Sequence, residues 1–287
     1  MEKEREDFLK KTALEIRKDV VRTIGVANAA HLASSLSIVE ILVYLYWEVM
    51  RFNPQKPYWK ERDRFVFSKG HACPALYAVL ARLGFFDREE LWSYRRLGAM
   101  LQGHPEYRRT PGIDAPSGSL GMGLGISVGM ALSLRLRRLT SRVFCLLGDG
   151  EFQEGAVWES VMNANHYKLD NLIAIVDVNG YQMEGKTESI NNLEPLQDKL
   201  ESFGWKAYQC DGHDLKELER AFKAVFACKG APCAILARTI PGKGLKKIEE
   251  GVLSPTEPMS RLLMEEALRE LEELDRTYFR EGEEQGG

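Results

Sequence analysis

The sequence has few cysteines, and no two of them form a Cys-x-x-Cys pair. This absence argues against a structural zinc site, which takes closely paired ligands. The cysteines lie mostly inside apolar segments, as reduced core thiols do in cytosolic proteins. We therefore expect free thiols and a cytoplasmic location. The five cysteines are Cys73, Cys145, Cys210, Cys228 and Cys233.

Long uncharged apolar runs and an excess of positive charge are also missing. No such run approaches the roughly 18 to 20 residues that span a bilayer, and the start MEKEREDFLKK lacks the apolar stretch of a signal peptide. We expect neither secretion nor membrane insertion. With 39 basic and 42 acidic residues the net charge is -3. Without a clustered basic field, a nucleic-acid partner is not expected.

Buried strands and helices alternate along the chain. Continuous apolar runs predict strands that are covered on both sides, and segments with helical periodicity lie between them, two of them at about 152–168 and 214–228. This order predicts an α/β fold, a parallel sheet with helices on both faces. The predicted strands cover residues 64–67, 142–147, 172–178, 205–210 and 233–239.

The N-terminal region is predicted to be helical. Apolar residues at helical spacing begin at Phe8, which indicates an amphipathic helix. Further along, Ser37 and Glu40 have the spacing of a capping box for the apolar helix IVEILVYLYWEVM.

The C-terminal region is predicted to be one helix followed by a polar tail. The helix, over residues 260–279, has an apolar stripe that could dock on this domain or on a partner, and the tail 280–287 is expected to be disordered. The predicted division is a domain of residues 1–250 and a C-terminal segment of residues 251–287. The stripe consists of Leu263, Ala267, Leu271 and Leu274.

An aspartate stands between two glycines where a predicted strand passes into a helix, in LLGDGEFQEG. In a parallel sheet this loop faces the ligand crevice, and the next helix points its positive N-terminus into it. Asp149 would repel a bare phosphate but could hold a divalent cation that binds a diphosphate. Because magnesium needs several oxygen ligands, the end of the next strand should contribute Asn179 and the Tyr181 carbonyl. Each side chain alone is more commonly a helix cap or a turn residue.

The GDG sequence followed by Asn179 resembles the thiamine diphosphate-binding motif. The segments ANAAHLASSLS, FSKGHACPALYA and LQGHPEYRRTPGIDAPSGSLGMG accompany it. In this order they resemble the N-terminal, diphosphate-binding part of transketolase, from about residue 10 to 245. The domain of residues 1–250 would then bind thiamine diphosphate and Mg²⁺, or Ca²⁺ or Mn²⁺ in its place.

The resemblance implies a role for each matching residue. Asp149, Asn179 and the Tyr181 carbonyl would bind the metal. Four further residues would contact or line the cofactor: His71, Gly118, Leu120 and Gly150, the last through its amide. Three residues would complete the active site: His31 and His104, facing the donor sugar, and Glu154, linking the two sites of a dimer.

The resemblance also implies an activity and a partner. Transketolases move a two-carbon ketol unit from a ketose phosphate to an aldose phosphate, as in the pentose phosphate pathway, with the cofactor as electron sink. The resemblance covers the family's diphosphate-binding part and does not include its pyrimidine-binding domain. A second subunit is therefore expected to carry that domain, in a heterotetramer with two copies of each chain.

Local departures from the family pattern affect the histidines. HLA replaces the usual HPG after His31, and Met122 replaces a frequent glutamine. A histidine expected soon after Gly244 is absent, and Lys243 or Lys246 could compensate. The two remaining histidines, His166 and His213, are expected to be structural.

Other functions stay open at this point. A related subunit could act on an unusual sugar, or on a 2-oxo acid as deoxyxylulose-phosphate synthases and dehydrogenase E1 components do. A non-catalytic binding or regulatory module is a further alternative. A nicotinamide-binding dehydrogenase is disfavoured because no GxGxxG opens a helix after a strand.

Overall fold

A parallel sheet of five strands forms the centre of the computed structural model, which describes residues 1–251 and 257–284. The strand order is β1-β2-β3-β7-β6, and a separate antiparallel pair joins β4 to β5. The predicted α/β fold is confirmed. The strands are β1 Arg64–Phe67, β2 Val143–Gly148, β3 Leu172–Val178, β4 Tyr181–Gln182, β5 Gly185–Lys186, β6 Lys206–Asp211 and β7 Cys233–Arg238.

Helices cover both faces of the sheet. Short 3-10 turns at Gly70–Ala72, Arg88–Ser93 and Gly150–Gln153 and a π-helical turn at Leu45–Val49 accompany them. The α-helices are α1 Lys3–Val26, α2 Leu32–Leu36, α3 Val39–Tyr44, α4 Cys73–Arg82, α5 Met122–Leu136, α6 Gly155–His166, α7 Thr187–Ile190, α8 Leu196–Ser202, α9 Leu215–Ala227, α10 Lys246–Glu249 and α11 Arg261–Glu284.

The two faces of the sheet contribute to two separate apolar cores. Along β2, Phe144 and Leu146 pack into the core that includes residues of α1, α3, α4 and α9. Cys145 and Leu147 pack into the other core, with residues of α5, α6 and α8. Because successive side chains alternate between faces, burial on both sides requires an uninterrupted apolar strand. This explains the continuous apolar runs in the sequence.

The parallel register brings the loops that follow the strands to one edge of the sheet. Gly148 of β2 is paired with Asp177 of β3, and Asp177 with Ala237 of β7. The residues directly after these strands therefore lie side by side. This edge carries the candidate site.

The predicted capping box at the start of α3 is wrong. The helix begins at Val39 and has no side-chain cap. Ser37 instead donates its hydroxyl to Asp177, at 2.8 Å, and Glu40 pairs with Arg17. Both side chains instead bind residues that are distant in the sequence, and the local sequence pattern does not reveal these partners.

The apolar segment Leu32–Val49 is long and apolar enough to cross a membrane by length and composition alone. Most of it, 72%, is buried inside the protein. The core helices of a folded domain pass the same test, so this is weak evidence for a membrane span.

The C-terminal helix α11 packs against this domain. Leu271 is fully buried and Ala267 nearly so, and Lys18 of α1 pairs with Asp275 at 2.5 Å. The helix continues through Glu284, which corrects the predicted disorder for residues 280–284; residues 285–287 lie outside the described part of the chain. The predicted division at residue 250 stays a prediction.

The docking of α11 predicts unequal effects for two leucines on this helix. Leu271→Ala should lower the free energy of unfolding by about 2 to 5 kcal/mol because it leaves a cavity in the core. Leu262→Ala, at a side chain that is 65% exposed, should change it by less than about 0.5 kcal/mol. Urea denaturation measures both variants, and equal effects would show that α11 does not dock through this stripe.

Candidate active site

A cavity of about 550 Å³ opens at the carboxyl edge of the sheet. Every residue that the sequence assigned to the site lines this one cavity. The structure thus brings these residues together, while their individual roles remain predictions. They are His31, His71, His104, Gly118, Leu120, Asp149, Gly150, Glu154, Asn179 and Tyr181.

Asp149 lies at the base of the cavity and is only 6% exposed. Its Oδ1 accepts the Gly150 N–H at 2.9 Å, and its Oδ2 accepts the Gly180 N–H at 2.8 Å. It therefore caps the 3-10 turn that follows β2 and also fixes the loop that follows β3. Burial, together with the nearby charge of Asp177, raises the pKa of Asp149 to about 6.

Asn179 is oriented by its neighbours. Its Nδ2 donates to Asp177 at 2.7 Å, and its Oδ1 accepts the Tyr181 N–H at 2.9 Å. Since an anionic carboxylate can only accept, this contact assigns the nitrogen to the side facing Asp177. The amide oxygen keeps a second lone pair for another partner.

The described residues contain no group of three or more histidine, cysteine, aspartate or glutamate side chains that could hold a metal ion. The predicted ligand set includes one carboxylate, Asp149, with an amide and a backbone carbonyl. Such a set depends on oxygen atoms supplied by other molecules to complete the coordination of magnesium.

A buried ion pair between Lys69 and Asp177 lies beneath the cavity, and sequence reasoning missed it. The side chains of Lys69 and Asp177 are 1% and 0% exposed. Asp177 also accepts hydrogen bonds from the hydroxyl groups of Ser37 and Thr239. Burial alone would raise the pKa of Asp177, but the charge and hydrogen bond of Lys69 lower it below its usual value. The sequence signal was a charged residue inside the apolar run LIAIVDV, which requires a partner.

The three predicted histidines line one part of the cavity. The rings of His31 and His71 lie 5.2 Å apart, and His104 is exposed beside Gly118. Burial and the positive charge of Lys69 lower the pKa of His71 to about 3. Burial and the charge of Arg95 also lower the pKa values of His31 and His104. Neutral imidazoles can both donate and accept hydrogen bonds.

Two glutamates near the cavity differ in their surroundings. Glu154, the predicted link between paired sites, is exposed directly before α6. Glu151 is buried and accepts the Ser68 hydroxyl and, at 2.8 Å, the Gly121 N–H. Sequence reasoning did not single out Glu151. It holds the loop that carries Gly118 and Leu120 against the end of β1.

The departures from the family pattern have definite positions. Neither Lys243 nor Lys246 is among the cavity-lining residues of the described chain. Pro241, from the same loop after β7, does line the cavity. Met122 is 53% exposed at the start of α5. His166 is exposed on α6, whereas His213 is held between Glu40 and the Ile240 amide.

Comparison with known proteins tests the predicted family. Residues 9–254 match the family described as transketolase, thiamine diphosphate binding domain. The chain is 42% identical over 257 residues to the 6-deoxy-6-sulfo-D-fructose transketolase subunit SqwG of Clostridium sp. (strain MSTE9), covering 90% of this chain and 94% of that protein. It is 38% identical over 233 residues to one of the subunits of the apulose-4-phosphate transketolase of Phocaeicola vulgatus, covering 81% of this chain and 83% of that protein.

Solved structures show the same likeness over part of a longer protein. The transketolase of Leishmania mexicana superposes with a TM-score of 0.80 and 25% identity, over 94% of this chain and 46% of that chain. The chain thus spans less than half of this transketolase, but most of the two separate subunits described above.

The fold and the matches define the class of protein: this chain belongs to the transketolase family, through its thiamine diphosphate-binding domain. The predicted resemblance is confirmed. Both the predicted transfer of a two-carbon ketol unit and the predicted partner chain are consistent with this family.

The buried ion pair predicts a large effect from a single substitution. Lys69→Met should lower the free energy of unfolding by about 3 to 5 kcal/mol, because it leaves Asp177 charged and without its buried partner. Lys186→Met is the matched control, since that side chain is 57% exposed and lies 3.9 Å from Glu188. It should cost less than about 1 kcal/mol. Urea denaturation of both variants decides, and a Lys69→Met variant as stable as the parent would contradict the assigned role.

Proposed function

We propose that this chain is the thiamine diphosphate-binding subunit of a two-chain transketolase. The observation that most supports this proposal is that every residue matched to the family's site lines a single cavity at the carboxyl edge of the sheet. A purely structural or regulatory module would not require these side chains to converge. The likeness to separate transketolase subunits over most of their length supports a second chain as the partner.

We propose that Asp149, Asn179 and the Tyr181 carbonyl would hold Mg²⁺, which would supply positive charge for binding the diphosphate. The donor set fits this ion, because it consists of oxygen atoms at adjacent loop tips. A cation would also offset the burial that raises the pKa of Asp149. The Gly150 amide, in the turn after β2, is suited to a diphosphate oxygen.

His31 and His104 would act on the sugar, and His71 would contact the cofactor. His104 is exposed, whereas His31 and His71 are half-buried and their rings are neighbours. As neutral rings they can donate to a carbonyl oxygen or accept a hydroxyl proton. When bound, thiamine diphosphate supplies the electron sink for bond cleavage beside the carbonyl.

The substrate we propose is a ketose with an anionic group, and the acceptor an aldose of the same kind. The relatives described above are named for a sulfo-substituted fructose and for apulose 4-phosphate, both anionic sugars. This favours a sugar donor over a 2-oxo acid. Membership of the pentose phosphate pathway and a cytoplasmic location are part of the proposal, the latter supported by the five free thiols.

The partner subunit would cover the mouth of the cavity and supply the pyrimidine-binding domain. Several large apolar side chains at or near the mouth are exposed, which favours burial by another chain. Two copies of each chain would form the assembly. The exposed apolar residues are Leu120, Met122, Tyr181, Met183 and Ile240.

The metal assignment predicts the behaviour of one substitution. In the complex purified with the product of the adjacent open reading frame, Asp149→Ala should weaken magnesium-dependent binding of thiamine diphosphate by at least about 100-fold, since even supporting groups at metal sites contribute about 10- to 100-fold. Asp198→Ala, at an exposed aspartate of α8, should have no effect. Isothermal titration calorimetry with and without Mg²⁺ measures both. Unchanged affinity for Asp149→Ala would remove Asp149 from the metal site.

The proposed activity requires both chains and both ligands. Light scattering should show two copies of each chain in the purified complex. Ketol transfer between anionic sugars, followed by mass spectrometry of the products, should need thiamine diphosphate and Mg²⁺. We expect turnover by the complex and none by either chain alone. Turnover with pyruvate in place of every ketose would instead indicate a 2-oxo acid enzyme.

A further inference from the structure

The loop of residues 239–244, which follows β7, forms part of the cavity wall. Pro241 lines the cavity, and the Gly242 N–H donates to the carbonyl of Ala33, another lining residue, at 2.9 Å. Gly242 has φ +76°, and a Cβ there would lie 2.2 Å from a side-chain carbon of Ile248. The backbone at Gly242 is thus held tightly between Ala33 and Ile248, and this leaves no room for a side chain at residue 242.

Behind this wall, His213 binds the loop through its ring. Its Nε2 accepts the Ile240 N–H at 2.8 Å, and its Nδ1 lies 2.9 Å from Glu40 Oε2. Because Nε2 accepts a hydrogen bond, the ring is neutral and the proton is on Nδ1, which donates it to Glu40. The His213 side chain is 9% exposed.

Arg17 holds the same loop at a second point. Its Nε donates to the Lys243 carbonyl at 2.8 Å, and its Nη2 donates to Glu40 at 2.8 Å. Burial would raise the pKa of Glu40, but the charge of Arg17 and the contact with His213 lower it to about 2. Glu40 therefore stays ionised and orients both partners. We refer to Arg17, Glu40 and His213 as the support cluster.

We propose that His213 is a positioning residue, which fixes the loop of residues 239–244 as a wall of the cavity and thereby strengthens cofactor binding. The effect on cofactor binding, which we call the cofactor part, rests on the function proposed above. The fixing of the loop, which we call the loop part, does not. The ring contacts a backbone amide in the loop, and Pro241 in the same loop borders the cavity. The support cluster thus connects α1, α3 and the start of α9 to the cofactor side of the sheet.

Hydrogen exchange tests the loop part directly. In the two-chain complex without cofactor, His213→Ala should speed amide exchange in residues 239–245 by about tenfold, the effect of losing roughly one hydrogen bond. His213→Gln keeps a donor and an acceptor, and should restore at least part of the protection. His166→Ala, at the exposed histidine of α6, should leave this segment unchanged. Exchange measured by mass spectrometry across the whole chain separates a local change from general destabilisation.

Cofactor titration tests the second part. With Mg²⁺ present, thiamine diphosphate should bind His213→Ala about three- to tenfold more weakly than the parent, and His213→Gln should lie between them. Unchanged or uniformly raised exchange in His213→Ala would overturn the inference. Equal cofactor affinity despite a loosened loop would overturn its cofactor part. If the loop loosens but the parent complex binds no thiamine diphosphate, the loop part is supported and the proposed function fails.

Discussion

The buried contact between Lys69 and Asp177 is the constraint on which the arrangement of the cavity depends. Removing both charges from water costs several kcal/mol, and a single ion pair seldom offsets that cost. Here Asp177 also accepts hydrogen bonds from Ser37, Asn179 and Thr239. These groups come from loops in different parts of the chain, and their hydrogen bonds offset the free-energy cost of burying the carboxylate. The pair therefore fixes the loops relative to one another as a condition of folding.

Two properties of the cavity follow from this contact. Asp177 turns the amide of Asn179 so that its oxygen faces away from the carboxylate and accepts the Tyr181 N–H. Lys69, although paired, adds positive charge near His71, whose pKa burial has already lowered. The ring stays neutral as a result. One ion pair thus sets both the direction of a proposed ligand and the protonation state of a proposed cofactor contact.

The sequence predicted the sheet well because burial on both faces requires continuous apolar strands. It placed Asp149 and Asn179 at the cavity because they follow those strands, whereas His31 and His104 were predicted only through the family resemblance. It failed where a polar side chain has a distant partner. Ser37 and Glu40 have the spacing of a helix cap, yet they bind Asp177 and Arg17. Lys69 lies within a motif that draws attention to His71. The neighbouring sequence does not distinguish a lysine that enters the core from one that remains in solvent. Lys69 is buried because the sheet places the end of β1 near β3, with β2 between them.

The charges at the base of the cavity also explain why a cation and a diphosphate would bind together. Asp149, Glu151 and Asp177 are all at most 6% exposed, and Lys69 is the buried cation paired with one of them. A diphosphate alone would bring further negative charge toward Asp149, at a place where burial weakens screening. A divalent cation reverses that repulsion and also stabilises the ionised form of Asp149. In the proposed function, the acidic loop after β2 would therefore disfavour a bare anion and favour the same anion bound to magnesium.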